Sequence, residues 1–255
     1  MYQAIAFFDL DGTLLNDQSE VTPEISQTML RLKENNILPI ISTGRCEFEI
    51  QAIKKAAHID ASITMNGMYG IYENDTIFSN KIDIATCQKM LDFTRKLKHE
   101  VAFYSHETMF ISGVNQLVKD SYQYFNNVVP PIKTDAFLEY ETNMLLVLTD
   151  ELDELYHEAF ADELTFFRNG PKCIDVVNKG ISKGTAIDEV KNFLQQDIPT
   201  FTFGDGLNDL PMFESSNYQI AMGNALPEVK SAASFISTKN TEHGIINGLK
   251  HYDLI

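Results

Sequence analysis

Ile5-Ala6-Phe7-Phe8-Asp9-Leu10-Asp11-Gly12-Thr13 sets two carboxylates directly behind an unbroken apolar run. A run with no polar alternation reads as a strand buried on both faces of a parallel sheet. Parallel sheets take ligands at the carboxyl ends of their strands, so Asp9 is expected at the mouth of the sheet. Asp11 points the same way if the extended chain continues, or stays close because Gly12 lets the chain turn back over it. Near the other end, Thr200-Phe201-Thr202-Phe203 runs into Gly204-Asp205-Gly206-Leu207-Asn208-Asp209. Two apolar strands that each end in acidic residues read together as one magnesium-dependent phosphoryl-transfer site, because Mg²⁺ takes oxygen ligands and phosphoryl transfer needs its charge met.

Outward from the first strand, Thr22-Pro23-Glu24 predicts a helix start with Ile25, Met29 and Leu32 on one face, ending at Asn35-Asn36. Ile37-Leu38-Pro39-Ile40-Ile41 is the next strand and stops at Ser42-Thr43-Gly44-Arg45. Phe48, Ala52, Ile53 and Ala56 predict an amphipathic helix, Ala61-Ser62-Ile63-Thr64 a third strand before Asn66-Gly67, and residues 68–78 a hairpin turning at Asn74-Asp75. This strand-helix alternation indicates an α/β, Rossmann-like parallel-sheet core over residues 1–81 and 180–255. Residues 82–179 break the rhythm and are expected to form an inserted α+β cap domain. The cap's predicted elements are a helix with Ile84, Cys87, Leu91 and Leu97, strands at Ala102-Tyr104, Met109-Ile111 and Met144-Leu148, a helix through Leu152, Leu155 and Ala159, and strands near Leu164-Phe167 and Cys173-Val177. The core resumes with Ser182-Lys183-Gly184 and a helix bearing Ile187, Val190 and Leu194; Pro211 fits only near a helix start. Tyr218-Ala221 and Ser234-Ile236 read as the last strands.

The chain has 255 residues and a formal charge of -16, from 20 basic and 36 acidic side chains. That balance argues against an extended nucleic-acid surface or an anionic membrane, both of which need clustered cations. A phosphate ester must then be met locally, by a metal, a few cations and backbone donors. Cys46, Cys87 and Cys173 are widely spaced and odd in number, so neither a disulfide framework nor a close-spaced zinc site is indicated. With no secretory signal and no apolar run of membrane-spanning length, a cytoplasmic protein is expected. Gly12 and Gly184 do not make a P-loop, and the histidines form no short-spaced metal motif.

Asp9-Leu10-Asp11-Gly12-Thr13, Ser42-Thr43-Gly44-Arg45, Lys183-Gly184 and Gly204-Asp205-Gly206-Leu207-Asn208-Asp209 resemble, in order, the four motifs of the haloacid dehalogenase-like hydrolases. More narrowly, the chain resembles the Cof-type sugar-phosphate phosphatases. The resemblance implies Asp9 as nucleophile, chemically apt because carboxylates form aspartyl-phosphates, and Asp11 as the group that protonates the leaving oxygen and later deprotonates water. Thr43, with Gly44 and nearby backbone N–H groups, would hold a phosphoryl oxygen. Lys183 would neutralise both Asp9 and the transferring group. Asp205 and Asp9, with the backbone carbonyl of Asp11, would hold Mg²⁺. Asn208 and Asp209 would orient metal-bound water or phosphate and restrain Lys183, although Asp209 also suits a helix cap. Arg45 pairs with an acidic neighbour or meets the cap, and stays outside the catalytic set.

The expected reaction is hydrolysis of a small phosphorylated metabolite, a sugar phosphate or a related compound. A phosphomutase would use the same phosphoaspartate, and a ligand-binding regulator would keep the pocket with little turnover. The long interval from Thr43 to Lys183 leaves the cap to exclude water and sample the leaving group. Nothing in the sequence selects one compound or an oligomeric state.

Overall fold

Ala4–Phe8 forms strand β1, and all five of its residues are buried. In the computed structural model, which describes residues 2–73 and 75–255, the chain divides into two compact units, Met1–Phe78 with Ser182–Ile255, and Ser79–Ile181. The first unit runs from β1 through helix α1 (Pro23–Glu34), β2 (Ile37–Ser42), α2 (Gln51–Ala57), β3 (Ala61–Thr64) and β4 (Tyr69–Tyr72) to β5 (Asp75–Ser79). Of the expected turn at Asn74-Asp75, Asp75 is instead the first residue of β5, and Asn74 lies outside the described residues.

The second unit holds α3 (Ile84–Leu97), β6 (Glu100–Tyr104), β7 (Met109–Ile111), α4 (Gln116–Tyr124), β8 (Met144–Leu148), α5 (Asp153–Ala159), β9 (Leu164–Arg168) and β10 (Cys173–Asn178). Its five-stranded sheet has the order β7-β6-β8-β10-β9, with every neighbouring pair antiparallel. Val101, Leu145, Val147, Ile174 and Val176 are buried in it. This is an α+β insert. Two helix faces differ from the expected ones: in α3 Ile84 is exposed while Cys87 and Leu91 are buried, and Leu152 is the left-handed N-cap of α5 and, like Leu155, is well exposed, while Tyr156 is fully buried. Tyr156 stacks on His99 and meets Phe93 edge to face, so one large aromatic anchors the helix in place of the two leucines.

The chain returns to the first unit through α6 (Lys183–Leu194), β11 (Thr200–Gly204), α7 (Leu210–Glu214), β12 (Tyr218–Ala221), α8 (Pro227–Ala232), β13 (Phe235–Ile236) and α9 (Gly244–His251). The eight strands lie in the order β13-β12-β11-β1-β2-β3-β4-β5. From β13 to β3 every pairing is parallel; β4 runs antiparallel to β3. The chain moves from β1 outward through β2 and β3, then comes back to place β11 on the other side of β1. That reversal makes the end of β1 the switch point, where loops diverge and leave a crevice.

Buried packing holds this order. Phe8 stacks on Phe203 of the neighbouring strand at 4.8 Å between ring centroids, and each fully buried phenylalanine is worth about 1.5–3 kcal/mol. Thr22 caps α1 by accepting from Ile25 N–H, and Ile25, Met29 and Leu32 face inward as their spacing predicts. Helix α2 departs from the expected face. Ala52 and Ala56 are exposed, and Lys54 and Ala57 are buried. Lys54 is accepted inside because its Nζ donates to Glu47 Oε1 at 2.7 Å and Ser62 Oγ at 3.1 Å, while Ser62 donates to Glu47 Oε2. A hydrophobicity pattern cannot select a lysine for the inner face; its buried partners do.

Candidate active site

The sheet register puts the acidic strand ends side by side. Phe8 pairs with Phe203 on β11 and with Ile41 on β2, so Asp9, Gly204 and Ser42 follow in step. Asp9 N–H donates to the Phe203 carbonyl. Beyond Asp9 the chain makes one wide turn, Leu10–Leu14, broken by extended Asp11 and by Gly12 at φ +81°. The turn thus takes the second of the two paths open to the sequence. A Cβ on Gly12 would overlap the Asp205 carboxylate, which explains glycine there twice over. Thr13, to which the sequence assigned no role, donates from Oγ1 to Asp205 Oδ1 at 3.0 Å.

Lys183 is the centre of the arrangement. It is the first residue of α6, positioned by the N-cap Ser182, and is 0 % exposed. Its Nζ donates to Asp9 Oδ1 at 2.6 Å and to Asp209 Oδ1 at 2.7 Å. Asp209 uses its other oxygen to accept from the N–H groups of Asp205 and Gly206, tying the β11 loop into a tight turn. Gly204 is required beneath it, since a Cβ would run into the Asp209 carboxylate. Gly184 lets α6 approach the Pro211 carbonyl at the start of α7.

Oxygens of Asp9, Asp205 and Asp209 lie within 4.8 Å of one another. Burial raises the Asp9 carboxyl well above its ordinary range against the pull of Lys183, and the neighbouring aspartates push it the same way. Burial, then the charge of Asp209, pushes Asp205 up to about 6. Lys183 itself is raised: burial works to lower it, and Asp209 and Asp9 outweigh that. Three carboxylates facing one ammonium leave negative charge that a hard, oxygen-seeking dication would satisfy, so the donor set fits Mg²⁺.

The other expected residues are placed as follows. Thr43 is buried at the end of β2; its Oγ1 accepts from Arg45 N–H at 3.1 Å. Gly44 is the partly buried residue of the bend between them. The Asp11 side chain stands outside the carboxylate cluster and is gripped at both oxygens by Arg45. Asn208 donates from Nδ2 to Asn66 Oδ1 at 3.2 Å.

Asn66 is the residue that sequence reading passed over. It is fully buried at φ +53°, after Met65 at φ +51°, and Gly67 beyond it lies so close to the Ser182 carbonyl that a Cβ would not fit. This turn therefore braces both Asn208 and the start of α6. Asn66-Gly67 carries a turn signal, but nothing local separates a buried bracing turn from an exposed one.

The fold and buried acidic cluster define a phosphoryl-transfer hydrolase. The chain belongs to the haloacid dehalogenase-like hydrolase family, which it matches over residues 6–249. It is 30% identical to YkrA of Bacillus subtilis (strain 168), which bears a phosphatase name, over all of both chains. Among solved structures it is similar to BT1666 from Bacteroides thetaiotaomicron, a phosphatase of this superfamily, with TM-score 0.91, 26% identity, and coverage of 100% of this chain and 96% of that one. It is also similar to the subclass IIB sugar phosphatase BT4131, with TM-score 0.87, 26% identity, and coverage of 99% and 100%. The chain is a phosphoric monoester hydrolase with an acidic site suited to Mg²⁺. Among the described residues, no helix is long and apolar enough to cross a membrane.

Proposed function

We propose that this chain is a Cof-type, Mg²⁺-dependent phosphatase of sugar phosphates or related small phosphomonoesters, working through an aspartyl-phosphate. The observation that carries the reading is the buried Lys183 ammonium bridging Asp9 and Asp209, next to Asp205. Lys183 holds Asp9 Oδ1, which orients the carboxylate and leaves Oδ2 to attack phosphorus. The bond from phosphorus to the leaving oxygen breaks, and Asp11 supplies the proton that oxygen needs. In the second half, Asp11 takes a proton from water as the water attacks phosphorus, releasing inorganic phosphate and restoring Asp9. Thr43 Oγ1 and the Gly44 N–H, with Lys183, would meet the phosphoryl oxygens, and Asn208, held by Asn66, would orient them. Asp9, Asp205 and the Asp11 carbonyl would hold Mg²⁺, which supplies Lewis-acid charge neutralisation when bound. Asp209 keeps Lys183 and the β11 loop in place.

Similarity to a sugar phosphatase supports the substrate class. With a net charge of -16, the local cations must offset a repulsive global field, which favours small substrates presenting one phosphoryl group. The test is inorganic phosphate release from sugar phosphates, nucleotides, flavin mononucleotide and pyridoxal phosphate, ranked by kcat/KM with and without Mg²⁺. Rapid-quench trapping should find an acyl-phosphate in the wild type and none in Asp9→Asn. Full turnover after chelation, or near-wild-type turnover by folded Asp9→Asn, would overturn the mechanism.

A further inference from the structure

Arg45 takes no part in the steps above. Its Nε donates to Asp11 Oδ2 at 2.8 Å and its Nη2 to Asp11 Oδ1, so the guanidinium fork meets both carboxylate oxygens. The residues come from the loops after β1 and β2, adjacent parallel strands, 34 positions apart in sequence. The backbone of Arg45 is anchored as well. Its N–H donates to Thr43 Oγ1, and its carbonyl accepts from Met65 N–H at 3.0 Å. The Asp11 side chain is instead 55% exposed, within the wide turn and directly before Gly12 in the left-handed region.

We propose that Arg45 is a positioning residue that acts through Asp11, fixing the carboxylate that exchanges protons with the leaving group and with water. The proposal rests on the role assigned to Asp11 above. An exposed aspartate alone samples three staggered χ1 wells and a broad χ2. A two-point grip by a planar fork selects one orientation, which lysine, a single-point donor, reproduces only in part. Proton transfer depends on sub-ångström placement, so releasing Asp11 should be felt mainly where the leaving oxygen needs its proton. The pair is half exposed, and its loss should leave stability nearly unchanged.

The experiment measures kcat/KM, which reports steps up to departure of the leaving group, for the best sugar phosphate from the phosphate-release screen and for p-nitrophenyl phosphate. Wild type, Arg45→Met, Arg45→Lys, Asp11→Asn and the Arg45→Met/Asp11→Asn double variant are compared, with the inhibition constant of inorganic phosphate as the binding readout. Arg45→Met should lose about 10- to 100-fold on the sugar phosphate and only about threefold on p-nitrophenyl phosphate, whose leaving group needs little protonation. Arg45→Lys should lie between, phosphate inhibition should hold, and the double variant should be no worse than Asp11→Asn. Equal losses on both substrates, weakened phosphate inhibition, or full additivity in the double variant would overturn the proposal, the second by placing Arg45 on the substrate. If Asp11→Asn itself showed no leaving-group-dependent loss, the role of Asp11 would fall, and that outcome is read independently of Arg45→Met.

Discussion

Removing the Lys183 ammonium should cost more stability than removing any one carboxylate it serves. Asp9, Asp205 and Asp209 crowd within 4.8 Å, and Lys183 is the buried cation that touches two of them, at 2.6 and 2.7 Å. Lys183→Met keeps the length and apolar stem and leaves the carboxylates without a counter-charge. Breaking a buried pair by deleting one partner costs about 3–5 kcal/mol, and serving two partners puts this site at the upper end. For a chain of this size each kcal/mol shifts Tm by roughly 2–4 °C, so a fall of about 10–20 °C is expected without metal. Asp9→Asn instead relieves like-charge crowding and retains a hydrogen-bond acceptor for Lys183, so it should be nearly neutral. Differential scanning calorimetry in EDTA, with the transitions of the two units resolved, compares the two variants. Mg²⁺ should then recover part of the Lys183→Met loss, because a dication replaces the missing charge. A metal-free Lys183→Met as stable as Asp9→Asn would refute the view that Lys183 neutralises this cluster.

Gly12→Ala forces a φ of +81° on a residue with a Cβ aimed at the Asp205 carboxylate, so a loss of about 1–3 kcal/mol and weaker Mg²⁺ activation are expected in a metal titration of phosphate release. Asp83 caps α3 by accepting from Thr86 N–H and Oγ1; Asp83→Ala should cost about 1 kcal/mol in urea unfolding, and Asp83→Asn much less. Burial lowers His99, stacked on Tyr156, below its ordinary value of 6.5. The unfolded chain then binds more protons, so this group's contribution to stability is intact above the unfolded pKa and declines as pH falls toward the folded one. His99→Gln should flatten that part of the stability profile, and an unchanged slope would exclude His99 as its source.

The strands and the acidic loops were legible because their signals are local. Five consecutive apolar residues ending in Asp9 announce a buried parallel strand, so burial of β1 follows from composition; β11 alternates Thr with Phe, and its threonines are buried because Thr200 and Thr202 bond Asn217 and Ser216. Thr22-Pro23 marked the start of α1, and the alternation of strands and helices gave the α/β class, because period and capping chemistry act over a few residues. The inner faces of α2 and α5 were not legible. Lys54 turns inward for Glu47 and Ser62, on the neighbouring turn and strand, and Tyr156 displaces Leu152 and Leu155 by stacking on His99, 57 positions away; each preference arises from a partner on another element, which hydrophobic periodicity does not register.

The residue types of the site belong to the sequence: carboxylates, one lysine, a threonine and the glycines that let loops close. Their joint geometry belongs to the tertiary structure. Lys183 reaches Asp9 across 174 positions, Thr13 reaches Asp205 across 192, and Asn208 meets Asn66 across 142. No local pattern encodes those distances, because they result from β1 being flanked by β11 and β2 in register and from α6 packing onto a turn that only Gly67 allows. Sequence chose groups able to carry charge and protons; close packing of the sheet and its loops decided which charge faces which.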